Sequence, residues 1–288
     1  MSSVRGGQRL GALQRDLPFF KDIVDYRLTR YPRLYLFVER FRQWANWDKR
    51  VYLSFVRRGD IALDVGANVG AHAVFLSHLV RDDGRVLAFE PLAPNIDALR
   101  ETIRRRSRIS NISIFQLAVG NPGNARQEVV IKAPGADLTQ ASLQLQGAAG
   151  SWERKASVRE YRVSLTSLDA EGEVQALPSV DFVKIDVEGG ELDVLKGAAR
   201  TISKHRPLIY CEVYERWAAS FGYTPADLFE FMRTLGYEDA RVISRGKVHS
   251  LSLGKPVPAG LFDASSDVLF FADKHSGLVA DFDKRYLR

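Results

Sequence analysis

A doubly wound α/β fold on a mostly parallel sheet is what this chain of 288 residues predicts, and three observations carry the prediction. Leu-Asp-Val-Gly-Ala-Asn-Val-Gly (63–70) is an apolar run that breaks into a glycine turn and then a helical pattern. Val-Lys-Ile-Asp-Val-Glu-Gly-Gly-Glu-Leu (183–192) is a second apolar run, and it ends in carboxylates. From Gly59-Asp60 onward, short apolar runs alternate with stretches of helical periodicity, as in strands joined by crossover helices.

In chain order, Ile61–Val65 reads as the first strand and 70–79 as the helix after it. Arg85–Phe89 is the second strand, and 94–106 a helix whose arginine-rich end suits the helix dipole. Residues 112–119 read as a third strand. Residues 121–156 are rich in Gly, Ala, Gln and Pro and read as a long insertion, a candidate substrate lid, with a short strand at 128–132. A further strand follows at 157–164. Residues 180–186 are strand four, 191–202 its helix, 207–213 strand five and 225–235 a helix. Short strands at 242–243 and 268–272 close the sheet.

Before this unit, residues 16–57 place Leu17, Phe20, Val24, Leu34, Phe37, Val38, Phe41 and Trp44 at helical spacing, with Pro32 separating two helices. The reading is an N-terminal helical extension over 1–58 that caps the unit at 59–288, with residues 1–10 frayed. Its arginines also suit a membrane-surface or acid-binding helix, the lesser reading. Tyr35, Trp44 and Trp47 are candidates for a homodimer contact. The net charge of +6, mostly arginine and dense in this region, is that of a mildly basic solvated surface. The single Cys211 excludes an internal disulfide framework and sits in an apolar run, as a buried strand thiol would. No apolar run approaches the ~20 residues of a membrane span, and no signal-peptide core is visible, so a cytoplasmic location is the expectation.

The glycine turn removes Cβ atoms where backbone must bend and approach a ligand, and the next helix points free N–H groups at it. A dinucleotide site would carry Gly-x-Gly-x-x-Gly; here Asn68 replaces the middle glycine and Asp64 precedes the turn. A carboxylate there repels phosphate and attracts an ammonium. That argues against NAD and for a cationic, amino-acid-like cofactor such as S-adenosylmethionine. Glu90 ends strand two about 20 residues on, where an acid accepts both ribose hydroxyls, and Pro91 stops the strand.

At strand four, alternation sets Phe182, Lys184, Asp186 and Glu188 on one side. A lysine inside a parallel strand needs a carboxylate, with Asp64, Asp186 and Glu212 as candidates. Asp186 and Glu188 are the candidate general bases for an attacking hydroxyl, or the candidate ligands of Mg2+ that would acidify it. Glu212, after strand five, is a further catalytic candidate; Glu215 is a weaker one and Glu191 structural. No two histidines stand at metal-binding spacing; His72 reads as solvated or structural, and His249 is the one that a late loop could fold over the crevice.

These residues resemble the FkbM family of S-adenosylmethionine-dependent methyltransferases. The match rests on 64–70, Phe-Glu-Pro (89–91), Leu-Ala-Val-Gly-Asn (117–121), Leu-Asp (168–169), 184–191, Leu-Lys-Gly-Ala (195–198) and Arg-Pro-Leu-Ile-Tyr-Cys-Glu (206–212). The resemblance implies a class I methyltransferase, Rossmann-like, with a seven-stranded sheet whose last strand runs antiparallel. By motif match it places Asp64, Gly66, Ala67, Asn68 and Gly70 around the methionine part of the cofactor, Glu90 with Pro91 at the ribose, and Ala118 and Val119 near the adenine. It implies O-methylation of a sugar, glycan or natural-product hydroxyl. The insertion and the N-terminal helices lie outside the family pattern. A nucleic-acid acceptor is the weaker reading, because the chain lacks an Asn/Asp-Pro-Pro-Tyr/Phe motif and an aromatic-basic strand platform. A non-catalytic scaffold that binds cofactor or glycan is weaker still, since the carboxylates stand at both strand ends.

Overall fold

The computed structural model describes residues 27–29, 31–42, 47–105, 109–123, 126–134 and 158–287. The chain forms two compact units, Met1–Ser54 and Phe55–Arg288. The first holds α1 (Pro32–Arg42) and most of α2 (Trp47–Phe55). Expectations for residues 1–26 and for Trp44 lie outside the described residues. Tyr35 does not serve as an exposed dimer residue: its side chain is fully buried, and its hydroxyl accepts a bond from Lys49 Nζ at 3.0 Å. The exposed large hydrophobic residues of this helix, among those described, are instead Leu34 and Phe37, with Tyr31 just before it.

The second unit is built on an eight-stranded sheet. Its strands are β1 (Ile61–Val65), β2 (Arg85–Phe89), β3 (Ile112–Phe115), β7 (Phe182–Ile185), β8 (Leu208–Val213), β9 (Asp239–Ser244), β10 (Lys247–Ser252) and β11 (Ser266–Phe271). Their order is β10-β9-β11-β8-β7-β1-β2-β3. The strands from β8 to β3 run parallel, and β11 is antiparallel to both neighbours. This is the expected seven-stranded sheet with β10 added as a hairpin partner of β9. The central strands β1 and β7 are buried along their whole length, which is why they read as continuous apolar runs.

Three elements differ from the sequence reading. The third strand stops at Phe115, and Ala118–Val119 forms β4 of a second sheet with β5 (Gln127–Pro134) and β6 (Val158–Thr166), in the order β4-β6-β5. The short strand expected at 128–132 is present and longer, spanning Gln127–Pro134, while 135–157 lie outside the described residues. The helix expected over 191–202 is two, α6 (Glu191–Lys196) and α7 (Ala199–His205). The cause is Asp169, whose carboxylate accepts the N–H of Arg200 at 2.8 Å and of Thr201 at 2.9 Å and so starts a new helix. At the other edge, α10 (Ser276–Tyr286) packs Phe282 on Phe55, with ring centroids 5.2 Å apart, and anchors Asp283 on Arg241 at 2.8 Å.

Three further helices position the site: α3 (Ala71–Val80) after β1, α4 (Ala93–Arg104) after β2 and α8 (Glu215–Ser220) after β8. α3 is buried from Ala73 to Val80, so its apolar residues surround it and no amphipathic stripe develops.

Candidate active site

The site is assembled where β1, β2 and β7 end side by side. Gly66 leaves β1 with φ +79°, and a Cβ on it would lie 1.8 Å from the Asp186 carbonyl oxygen. Only glycine allows the ends of β1 and β7 to approach this closely. The N–H groups of Gly66 and Ala67 both donate to the Phe89 carbonyl, at 3.0 and 2.9 Å, and fasten the turn to the end of β2. Asn68 sits at φ +49° and its N–H donates to Glu90 Oε2 at 2.9 Å. Gly70, at φ +88°, starts α3.

These strand ends surround a cavity of about 720 Å³. Gly66, Ala67, Asn68, Glu90 and Pro91 line one side, and Ala118 and Val119 line the roof. Asp186 and Glu188 reach it from the β7 end. Asp64, Gly70 and Glu212 stand behind its wall. His249 lies on β10, paired with Val242 at the far edge of the sheet, and does not approach the cavity.

Glu90 is buried, and its Oε1 accepts the Leu92 N–H at 2.9 Å and the Asn95 amide at 3.1 Å. Burial raises its pKa, against these three donors. Glu90 lines the cavity, and with Asn68 its one donor among the described residues, Oε2 keeps acceptor capacity. Asn68 Oδ1 is buried on the same wall with no hydrogen-bond partner among the described residues. Both atoms suit a ligand with hydroxyl and ammonium donors.

An ion cluster forms part of the wall, with Lys184 and Asp186 lining the cavity. Lys184 and Asp64 are wholly buried; Lys184 Nζ is 3.3 Å from Asp64 Oδ1, 3.4 Å from Asp186 Oδ2, and donates to the Gly66 carbonyl at 2.9 Å. Burial opposes the ammonium charge, but the two carboxylates outweigh it and raise the Lys184 pKa. Burial likewise works against an ionised Asp186, yet Lys184, His72 and a hydrogen bond from Glu212 hold its carboxyl below the usual range. The Glu212 carboxyl is raised by burial and by the Asp186 charge, so that it carries the shared proton. Ser265 Oγ donates to Glu212 Oε1.

β7 ends at Ile185, so Asp186 and Glu188 project from a turn and not by strand alternation. Glu188 sits at φ +58°. Burial and the neighbouring charges of Asp186, Glu212 and Glu191 push its carboxyl up to about 9, which keeps it neutral near pH 7. Glu191 binds the turn: its Oε1 accepts the Gly189 N–H at 3.0 Å, and Tyr223 OH lies 3.0 Å from Oε2. A carboxyl whose folded pKa is raised favours the folded state below its unfolded pKa and loses that contribution as pH climbs through the raised value. Glu188→Gln is therefore expected to raise the melting temperature at pH 9 by several degrees and to change it little at pH 4.5; an equal shift at both would remove the buried-acid account.

Among the described residues no group of three His, Cys, Asp or Glu is placed to hold a metal ion. The expected Mg2+ ligands Asp186 and Glu188 do not belong to such a group among the described residues, and Asp186 Oδ2 already has the Lys184 ammonium 3.4 Å away. Sequence reasoning set His72 aside, yet it lines the cavity and its charge acts on Asp186. The available signal was its place in the first turn of α3, two residues after Gly70. Asn95, which steadies Glu90, was signalled only by following Glu90 at five residues.

A parallel sheet interrupted by the antiparallel β11, a glycine turn after β1 and an acid at the end of β2 are the features of the class I methyltransferase fold. Residues 64–238 match the Methyltransferase FkbM domain, and the chain belongs to that family. It is 25% identical over 179 residues to the methyltransferase sdnD of Sordaria araneosa, covering 55% of this chain and 66% of that protein. It is 29% identical over 153 residues to the hexuronic acid methyltransferase AglP of Haloferax volcanii, covering 53% of this chain and 56% of the relative. The chain thus spans less than two thirds of either relative's length. A solved FkbM methyltransferase from Methylobacillus flagellatus aligns at 18% identity and a TM-score of 0.44, over 77% of this chain and 50% of the other.

Proposed function

We propose that this chain transfers a methyl group from S-adenosylmethionine to a hydroxyl of a neutral sugar, glycan or natural product. The observation that carries this reading is Asp186, a cavity-lining carboxylate held ionised beside the cofactor turn. When bound, the cofactor supplies an electrophilic methyl group on a sulfonium. Gly66, Ala67 and Asn68 would enclose its methionine part, while Asp64, paired with Lys184 and outside the lining, would act by holding that lysine in place. Glu90 Oε2 would accept the ribose hydroxyls, with Pro91 alongside, and Ala118 and Val119 would pack on the adenine. The acceptor hydroxyl would give its proton to Asp186 as its oxygen bonds the methyl carbon and the carbon–sulfur bond breaks. Neutral Glu188 can donate a hydrogen bond to the acceptor, and Glu212 tunes Asp186. Holding the hydroxyl in line supplies much of the acceleration.

A sugar acceptor agrees with the name of the Haloferax volcanii relative, but a hexuronic acid carries a carboxylate, so the proposed neutral charge of the acceptor rests on the cavity lining and not on that relative. The cavity's ionisable lining is mainly Glu90, Asp186, Glu188 and Asp193, and its lysine is already engaged by two carboxylates, which favours a neutral acceptor over an anionic one. Calorimetric titration should give micromolar binding of S-adenosylmethionine and none of NAD, followed by methyl transfer to a panel of sugars. Glu90→Gln is expected to weaken cofactor binding by about 10–100-fold, the worth of hydrogen bonds to a charged group. Unchanged affinity would remove Glu90 from the ribose site.

A further inference from the structure

The positive charge of this chain is confined to one end. Met1–Ser54 contains 11 Lys and Arg against 5 Asp and Glu, which accounts for the whole formal charge of +6, and residues 55–288 are balanced. Among the described residues of that unit, basic and apolar groups are exposed close together in sequence. Tyr31, Leu34 and Phe37 are 63%, 47% and 61% exposed, and they are three of the seven large hydrophobic residues so exposed among the described residues. Leu34 and Phe37 lie one turn apart on α1 and share a face. Arg27 and Arg33 are exposed alongside them, with no ion pair among the described residues.

We propose that this segment docks on an anionic phospholipid surface, independently of which acceptor the active site takes. Leu34, Phe37 and Tyr31 enter the boundary between headgroups and acyl chains, while the arginines reach back to lipid phosphates. Charge selects the occupant. A second copy would bring another basic unit to the same face and repel it. A nucleic acid would neutralise the arginines but leave aliphatic Leu34 against solvent or phosphate. An anionic bilayer satisfies both groups at once. No helix among the described residues is long and apolar enough to cross a membrane, so α1 lies along the surface. The consequence is an enzyme concentrated where lipid-anchored acceptors are found.

The test is flotation of the full chain with vesicles of phosphatidylcholine alone and of phosphatidylcholine mixed with phosphatidylglycerol. Binding is expected to be at least about tenfold stronger on the anionic vesicles and to weaken as salt is raised. Leu34→Ser with Phe37→Ser should lower it about tenfold or more, leaving the circular dichroism spectrum and S-adenosylmethionine affinity unchanged. Arg27→Gln with Arg33→Gln should remove much of the preference for anionic over neutral vesicles. Equal partition onto both vesicles, no binding, or binding that survives both double substitutions overturns the proposal. So does a dimer that dissociates in the Leu34/Phe37 variant without vesicle binding, or preferential capture by duplex RNA.

Discussion

Asp186→Asn is expected to lower kcat by about 10²–10⁴-fold, the range supplied by a positioned general base, with the Kd for S-adenosylmethionine changed by no more than a few fold. The separation of the two readouts follows from the geometry. The Asp186 N–H donates to the Val65 carbonyl at 3.0 Å whatever the side chain, so the backbone at the cofactor turn is kept. Lys184 retains Asp64 as counterion, and an asparagine carbonyl still accepts from the ammonium. What disappears is the anionic oxygen proposed to receive the hydroxyl proton. Single-turnover assays with saturating cofactor would separate chemistry from binding. A variant that turns over at the wild-type rate would show that Asp186 is not the base, and Glu212 would then be the next acid to replace.

The largest loss of stability is expected at Lys184. Lys184→Met leaves Asp64 fully buried without its ammonium and leaves the Gly66 carbonyl without its donor. Breaking a buried pair from one side costs about 3–5 kcal/mol. For a unit of this size that corresponds to a fall in melting temperature of roughly 6–20 °C. Removing both charges behaves differently, because a neutral, well-packed pair carries no desolvation cost. The double variant Asp64→Asn with Lys184→Met should therefore recover much of the lost stability. Differential scanning calorimetry of the two single variants and the double closes the cycle. If the double is as unstable as the sum of the singles, Asp64 and Lys184 are not coupled.

Much of this architecture could be read from residue order, because its determinants are local. Asp64 to Gly70 and Phe89 to Pro91 keep strand, turn and acid within a few residues of one another, and the structure joins them by the Asn68–Glu90 bond that their spacing allows. Lys184 announced its own need for a carboxylate, since an unpaired ammonium inside a parallel strand is prohibitive. Features made by distant contacts stayed hidden. The break between α6 and α7 depends on Asp169, some thirty residues upstream. The split of the third strand depends on β6, which draws Ala118 and Val119 out of the main sheet. The strand β10 has polar residues at most positions and carried no apolar signal. His72 looked like any solvated helix residue until the ends of β1 and β7 placed Asp186 near it.

The second sheet has a dynamic consequence. A small cluster of buried residues, Leu92, Ala118, Ile131, Val163 and Leu165, packs most of it, while Val119 of β4 joins the extensive core around β1, β7 and β8. Several of these, Ala118, Ile131 and Leu165, also line the cavity. A cooperative unit held by so few contacts opens at lower free energy than the sheet beneath it. Amide protons of β5 and β6 should exchange with solvent well before those of β1 and β7, and a bound cofactor that packs against them would slow that exchange.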